Sequence, residues 1–230
     1  MASGGLFGGG REKKRFLFII CVNNDEIFSE CQFYIDKLKV PPGYSKSVRV
    51  IRDARGMCQA YNSAMTEEPA KYRIYMHQDV SILNPNFLYD ILEIFESDKK
   101  IGMIGMVGSK KLPPDAVVWH GERVGNLYSL DPDNVDFENY RYSVDEGVTD
   151  VEAVEGFLMA TDADLPWRED LFDGWDYYNL SQSAEFRKAG YRVVVPVQRK
   201  PWCAHDESVN NRWDFNAYRK KFMTEYGYGK

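Results

Sequence analysis

Seven apolar residues in a row, Phe16-Leu17-Phe18-Ile19-Ile20-Cys21-Val22, stand between the charged stretch Arg11 to Arg15 and the polar triplet Asn23-Asn24-Asp25. A strand with one face in water alternates apolar and polar residues. A run without alternation must be covered on both faces, which a parallel sheet achieves by carrying helices on each side. The same logic applies to Tyr72-Arg73-Ile74-Tyr75-Met76 and to Ile101 through Val107. Between these runs the apolar residues change period. Ile27, Cys31, Tyr34, Ile35 and Leu38 line one face of a helix that Pro41-Pro42-Gly43 stops, and Phe87, Leu88, Ile91, Leu92 and Phe95 line another behind Pro85. Ser47 to Ile51 reads as a second strand and Gly56 to Met65 as a short helix. Strands alternating with helices at these spacings predict an α/β fold, a mostly parallel, Rossmann-like central sheet flanked by helices.

Beyond Gly108 the pattern changes. Residues 108–150 show no sustained period and many Gly, Pro, Asp and Asn, which predicts long loops with an irregular hairpin. Order resumes over Val151 to Ala160, a helix follows near Leu180 to Ala189, a strand near Tyr191 to Val197, and an amphipathic helix from Arg212 to Tyr226. The chain therefore divides into a flexible tag or linker over 1–15 and one ordered domain over 16–230. That domain has a first half, 16–107, of regular strand-helix units and a second half, 108–230, rich in loops.

Composition narrows the partners. With 44% hydrophobic and 14% aromatic residues the 230-residue chain can fill a core, which argues against a disordered acidic scaffold. Its net charge of −6 disfavours nucleic acid as a partner. Four cysteines without a CxxC pair fit a reducing, cytoplasmic compartment. No apolar run is long enough to span a bilayer, and the N-terminal residues lack the pattern of a secretory leader. The basic residues of 11–15 can meet an anionic membrane surface, which would place the protein peripherally at the inner face of a membrane; as a solvated tail they would do nothing.

In an open parallel sheet, ligands bind beyond the carboxyl ends of the strands. Three polar clusters follow apolar runs there: Asn23-Asn24-Asp25, Arg52-Asp53-Ala54-Arg55 and His77-Gln78-Asp79. The first strand is not followed by GxGxxG, and GxxxxGK[ST] is absent from the chain, so neither phosphate-binding glycine loop is available. A divalent metal bridging a diphosphate is the remaining route, and Asp79, with His77 two residues earlier, has the right chemistry for it. Asp79 can equally cap a turn.

The ordered set FIICVNN, RDARGMCQAYNSA, YRIYMHQDV, VEGFLMA, FDGWDYYNLSQSAEFRKAGYRVVV and CAHDES resembles the glycosyltransferase family 2-like group with the GT-A fold, over residues 16 to 225. That resemblance implies a metal-dependent, inverting glycosyltransferase using a nucleoside-diphosphate sugar, likened most to a UDP-sugar, and a hydroxyl acceptor on a glycan or other molecule. It casts residues 16–107 as the donor half and 108–230 as the acceptor half. It implies that Asp79 is the last carboxylate of a DxD-like motif holding Mn²⁺ or Mg²⁺, with His205 of Cys203-Ala204-His205-Asp206 and His77 as further metal ligands. Val22, Asn23, Asp53, Arg55, Asn62 and Gln78 would surround the nucleotide. Cys203 and His205 without a second pair do not make a zinc site.

One segment departs from the family pattern. Where relatives read like YDxD, this chain has Asn179 and Ser181, neither of which can act as a carboxylate base. Asp176 and Glu155 remain as candidate bases. Trp175 and Tyr178 are candidate acceptor contacts, Trp119 and Trp167 read as packing residues, and His120 takes no role. Two alternatives follow. A protein of the same fold that binds nucleotide sugars with weak or no activity would have lost its base. A nucleotidyltransferase would also set a metal over a sheet, but would normally need a glycine-rich basic loop after the first strand.

Overall fold

The computed structural model describes residues 14–130, 137–142, 146–206 and 214–229. In chain order the elements are β1 (Arg15–Cys21), α1 (Asp25–Lys37), β2 (Ser45–Ile51), α2 (Met57–Glu67), β3 (Tyr72–Met76), β4 (Val80–Ile82), α3 (Phe87–Ser97), β5 (Ile101–Gly105) and β6 (Val107–Ser109). After a single 3-10 turn at Val118–His120 come β7 (Arg123–Leu130), β8 (Phe137–Tyr142), β9 (Val148–Asp150), β10 (Ala153–Val154), β11 (Leu158–Thr161), α4 (Tyr178–Lys188), β12 (Arg192–Pro196), β13 (Cys203–Asp206) and α5 (Phe215–Tyr226).

Seven strands form the main sheet in the order β2-β1-β3-β11-β5-β12-β9. β1 lies parallel to β2 and β3, and β5 parallel to β12, but β11 runs antiparallel to both its neighbours and β9 antiparallel to β12. The sheet is thus mixed rather than purely parallel: β2, β1, β3, β5 and β12 run one way, as expected of a mostly parallel sheet, and β11 and β9 run against them. The cause is β11, which comes from the second half of the chain and enters between β3 and β5 against their direction. Local periodicity reports that a segment is a strand and carries no information about which gap it fills. The same insertion means that residues 16–107 and 108–230 share one sheet. A second sheet, β10-β6-β7-β13-β4 with β8 on β7, is built largely from the stretch expected to be loops.

The expectation of strands covered on both faces holds in detail. Phe16, Phe18 and Ile20 pack with α1 and α3 residues such as Ile35 and Ile91 in one cluster, while Leu17 and Ile19 pack with Tyr61 and Phe186 in the other. α1 begins where Asn24 accepts from the backbone N–H of Glu26 and Ile27 (3.0 and 3.2 Å), and Asp25 and Glu26 complement the helix dipole. Cys31, Cys58 and Cys203 are buried and Cys21 half-buried; burial pushes the thiols of Cys21, Cys31 and Cys58 up to about 12. Such thiols pack as small hydrophobes. Among the described residues no helix is long and apolar enough to cross a membrane. Residues 1–13 lie outside the described residues, so the linker and membrane-contact expectations are met there by no observation. Arg15, placed with that tail, instead opens β1 and pairs with Glu68 at 2.8 Å.

Arg73 is 1% exposed inside β3, an unusual place for a cation. Its fork grips both oxygens of Asp164 (2.8 and 3.1 Å) and donates to the carbonyls of Glu68 and Met65 at the end of α2. One side chain thereby ties β3, α2 and the loop after β11. Removing the carboxylate leaves a buried charge short of its counterion, which costs more than the pair itself contributes. Asp164→Ala is expected to lower unfolding stability by about 3 kcal/mol in urea denaturation, whereas the double change Arg73→Met with Asp164→Ala recovers a large part of it. A double change as unstable as the single would refute that account.

Candidate active site

Three side chains meet beyond the carboxyl end of β3. Asp79 follows β3 directly. His205 is brought beside it because β13 pairs antiparallel with β4 in a register that sets His205 opposite Val80, and the Asp206 N–H donates to the Asp79 carbonyl at 3.1 Å. His77 stands at the end of β3, where its N–H donates to the Phe157 carbonyl at the start of β11. One potential ligand atom from each of His77, Asp79 and His205 lies within 4.8 Å of the others.

The electrostatics suit a cation. Asp79 Oδ1 is shielded from solvent and makes no hydrogen bond of normal geometry; His205 Nε2 lies 3.5 Å and His77 Nδ1 3.9 Å away. Burial by itself pushes the Asp79 carboxyl up, but the His205 contact and the two imidazoles outweigh it and hold the group below the usual carboxylate range. A shielded carboxylate oxygen facing two imidazole nitrogens is the donor set of a borderline or hard divalent metal such as Mn²⁺. The residues present fit the metal that the resemblance implies.

The imidazoles are oriented from behind. His77 Nε2 and the Tyr178 hydroxyl are 2.6 Å apart. Tyr178 is 4% exposed, and burial raises its phenol well above the usual range, so the hydroxyl keeps its proton. With Nε2–H donated to that oxygen, Nδ1 is left to face Asp79, the arrangement by which outer groups fix a metal-binding imidazole. Gly156 makes room: a Cβ there would stand 2.3 Å from the Tyr178 hydroxyl oxygen. The His205 ring stacks on Phe157 (centroids 5.0 Å, 23°). Tyr178 was expected to touch acceptor; the structure buries it against His77 instead.

The residues expected around a nucleotide fall into two groups. Val22, Asn23, Asp53 and Arg55 follow the carboxyl ends of the adjacent parallel strands β1 and β2, beside the cluster. The Val22 N–H is spent on the Ile51 carbonyl (2.9 Å), Asp53 holds a left-handed φ of 58°, and Arg55 is exposed and makes no ion pair among the described residues. Gln78 binds this edge together: its Oε1 accepts from the N–H of Asn23 and of Asn24 (both 3.0 Å), and its Nε2 donates to Asn23 Oδ1 (2.5 Å). Asn62 is placed elsewhere. Its amide bonds the Trp167 backbone in both directions (2.8 and 3.0 Å) and Glu169, locking α2 to the segment after β11.

On the other side, Asn179 donates to the Val154 carbonyl (2.7 Å) and Ser181 bonds the Tyr226 hydroxyl (2.9 Å), so both positions serve packing. Glu155 forms a close ion pair with Arg123, a partner that no sequence pattern announced. Asp176 lies on the loop before α4, held where Met57 N–H donates to the Gly174 carbonyl at 2.9 Å; Gly56 permits the approach, since a Cβ there would meet the Asp173 carbonyl oxygen at 2.2 Å. Trp175, next to it, is 50% exposed.

Solved structures with the same architecture include the mannosyltransferase PcManGT from Pyrobaculum calidifontis in complex with GDP-Man and Mn²⁺, 12% identical with a TM-score of 0.58 over 94% of this chain and 65% of that one. TarS of S. aureus, as residues 1–349 in complex with UDP, is also 12% identical, with a TM-score of 0.55 over 92% of this chain and 65% of that one. The chain thus spans just under two thirds of either relative, and the likeness establishes a GT-A-type fold. No curated protein sequence matches significantly. Residues 17–226, nearly the whole chain, match the family described as "Glycosyltransferase like family", and to that glycosyltransferase family the chain belongs.

Proposed function

We propose that this protein is a metal-dependent inverting glycosyltransferase that takes a nucleoside-diphosphate sugar, a UDP-sugar first among candidates, and transfers the sugar to a hydroxyl of a glycan or other acceptor. The observation that carries the reading is the His77, Asp79 and His205 cluster at the end of the parallel strands, next to the edge where β1 and β2 present Asn23, Asp53 and Arg55. Residues 16–107 supply that donor edge, and 108–230 supply His205, the loop before α4 and the acceptor side.

Asp79, His77 and His205 would hold Mn²⁺ or Mg²⁺, which offsets the negative charge that develops on a leaving diphosphate. Arg55 is the cation suited to a diphosphate oxygen, and Asp53 an acceptor for a base N–H. Asp176 is our choice of base for the acceptor hydroxyl. Glu155 is the weaker candidate, because its carboxylate is already engaged in a close ion pair with Arg123. A second reading has its own support. Asn179 and Ser181 occupy places where the family pattern carries acids and are committed to packing, so a donor-binding protein with weak transfer is the alternative.

Calorimetric titration of UDP and GDP with and without Mn²⁺, followed by assay of the tighter nucleotide's sugars for release, separates the two. Metal-dependent binding with sugar release supports the transferase, and binding without release supports the alternative. Asp79→Asn is expected to weaken Mn²⁺-dependent nucleotide binding about 100-fold; unchanged affinity would dismiss the ligand assignment. Tyr178→Phe keeps the ring and loses the hydroxyl that fixes His77, so Mn²⁺ affinity should fall about tenfold with little change in melting temperature. Metal binding needs the two imidazoles deprotonated while Asp79, held below the carboxylate range, stays ionised. Protons therefore compete with the metal for the imidazoles, and Mn²⁺ affinity measured from pH 8 down to pH 5 should fall as the pH is lowered.

A further inference from the structure

Of the tryptophans in the described residues, Trp119 and Trp175 are the two left substantially exposed, at 39% and 50%. They are far apart in sequence, and a chain of packed rings runs from Trp119 to the segment that carries Trp175. Phe215, at the start of α5, has its ring centroid 5.2 Å from Trp119 and 5.1 Å from Tyr177, two residues beyond Trp175. Aromatic side chains grouped at the surface mark binding sites more often than scattered ones do.

A polar pair completes the corner. His120 Nδ1 and Asp115 Oδ2 are 2.8 Å apart, and the hydrogen bond from His120 is the main reason the Asp115 carboxyl lies below its ordinary range. The bond to the carboxylate fixes the orientation of the imidazole and leaves Nε2 as the ring nitrogen available to a ligand hydroxyl. Arg219 donates to the Asp115 carbonyl from α5 (3.2 Å), anchoring the segment.

Strain gathers at the same place. Only three non-glycine residues among those described have positive φ: Asp53, Ala116 and Tyr177. The last two, at 55° and 63°, are bonded to each other, the Tyr177 hydroxyl donating to the Ala116 carbonyl at 3.0 Å. A tyrosine held left-handed costs roughly 1–3 kcal/mol and persists where the surroundings enforce it, most often at functional sites. Tyr177 and Tyr178 open α4 and reach in different directions, Tyr178 to His77 and Tyr177 to the Trp119 segment. The segment that opens α4 therefore touches both the corner and the metal cluster, with Trp175 and Asp176 directly preceding it in the chain.

We propose that Trp119 and the Asp115–His120 pair, with Trp175, form a subsite for a sugar ring of the acceptor. The indole faces would cover the apolar face of a pyranose, and His120 Nε2 would accept from a ring hydroxyl. The inference rests on the transferase reading and deepens it by naming a carbohydrate as the acceptor class and a locus that binds it. An aliphatic alcohol would need the apolar faces alone and would leave the oriented imidazole unused, which is the reason for choosing a sugar.

The test uses the full chain with Mn²⁺ and UDP, whose binding is measured first; failure there counts against the transferase reading and is distinct from failure of the subsite. Methyl glycosides of glucose, galactose, mannose, N-acetylglucosamine and N-acetylgalactosamine are then screened by saturation-transfer NMR. At least one is expected to bind, with affinity falling about tenfold in Trp119→Ala and by a smaller factor in His120→Gln, while Mn²⁺-dependent UDP affinity stays within about twofold. Because Trp119 packs on Phe215, His120→Gln and a melting curve guard against a trivial loss of fold. Absence of any glycoside signal on the nucleotide-loaded parent protein, or a signal unchanged in both variants, overturns the subsite.

Discussion

The site is organised by the burial of one carboxylate. Asp79 Oδ1 is withdrawn from water at the end of β3 and needs positive charge near it, and the fold delivers two imidazoles to that spot from elements far apart in sequence. His77 comes from the same strand, and His205 from a strand laid against β4 more than a hundred residues later. Around these the supporting contacts line up: the Tyr178 hydroxyl on His77, the Phe157 ring on His205, and Gly156 leaving space for Tyr178. A carboxylate so placed is costly without a counterion, and two imidazole nitrogens beside it complete a site that would attract a metal cation.

Much of the first half was legible because its signals are local. The run from Phe16 to Val22, the helical stripe from Ile27 to Leu38 and the apolar Tyr72 to Met76 each state their own structure within one element. Asp79 and His77 were readable for the same reason, since the polar residues directly after a buried strand sit at the sheet's carboxyl edge. What failed to show was pairing. β11 looks like any short apolar strand, and nothing in Leu158 to Thr161 announces that it runs against β3 and β5. β4 and β13 are three and four residues long, and their meaning lies wholly in the register that carries His205 to Asp79. The polar partners were equally hidden: Tyr178 looked like a sugar-facing aromatic, Asn62 like a ligand contact, and Arg123 stood unremarked in a stretch read as long loops with an irregular hairpin.

The departures at Asn179 and Ser181 become intelligible once their bonds are seen. A carboxylate at 179 would meet the Val154 carbonyl, a repulsive pairing of two acceptors, whereas the amide donates to it. Ser181 is fully buried and shares its hydroxyl with Tyr226 of α5, whose own hydroxyl reaches Glu185. The α4 start of this chain is thus built to hold α5 and β10.

The placement of β11 also sets a timetable for synthesis. A chain emerging from the ribosome presents β1, β2 and β3 long before residues 158–161 exist, and β5 appears with its eventual neighbour still about fifty residues away. For that interval two apolar strand edges that will face β11 have no partner, and paired with each other they would close the sheet in the wrong register. The main sheet cannot reach its native order until most of the chain is made. The second half is therefore a structural precondition of the first, which makes residues 16–107 an unpromising unit to fold by itself.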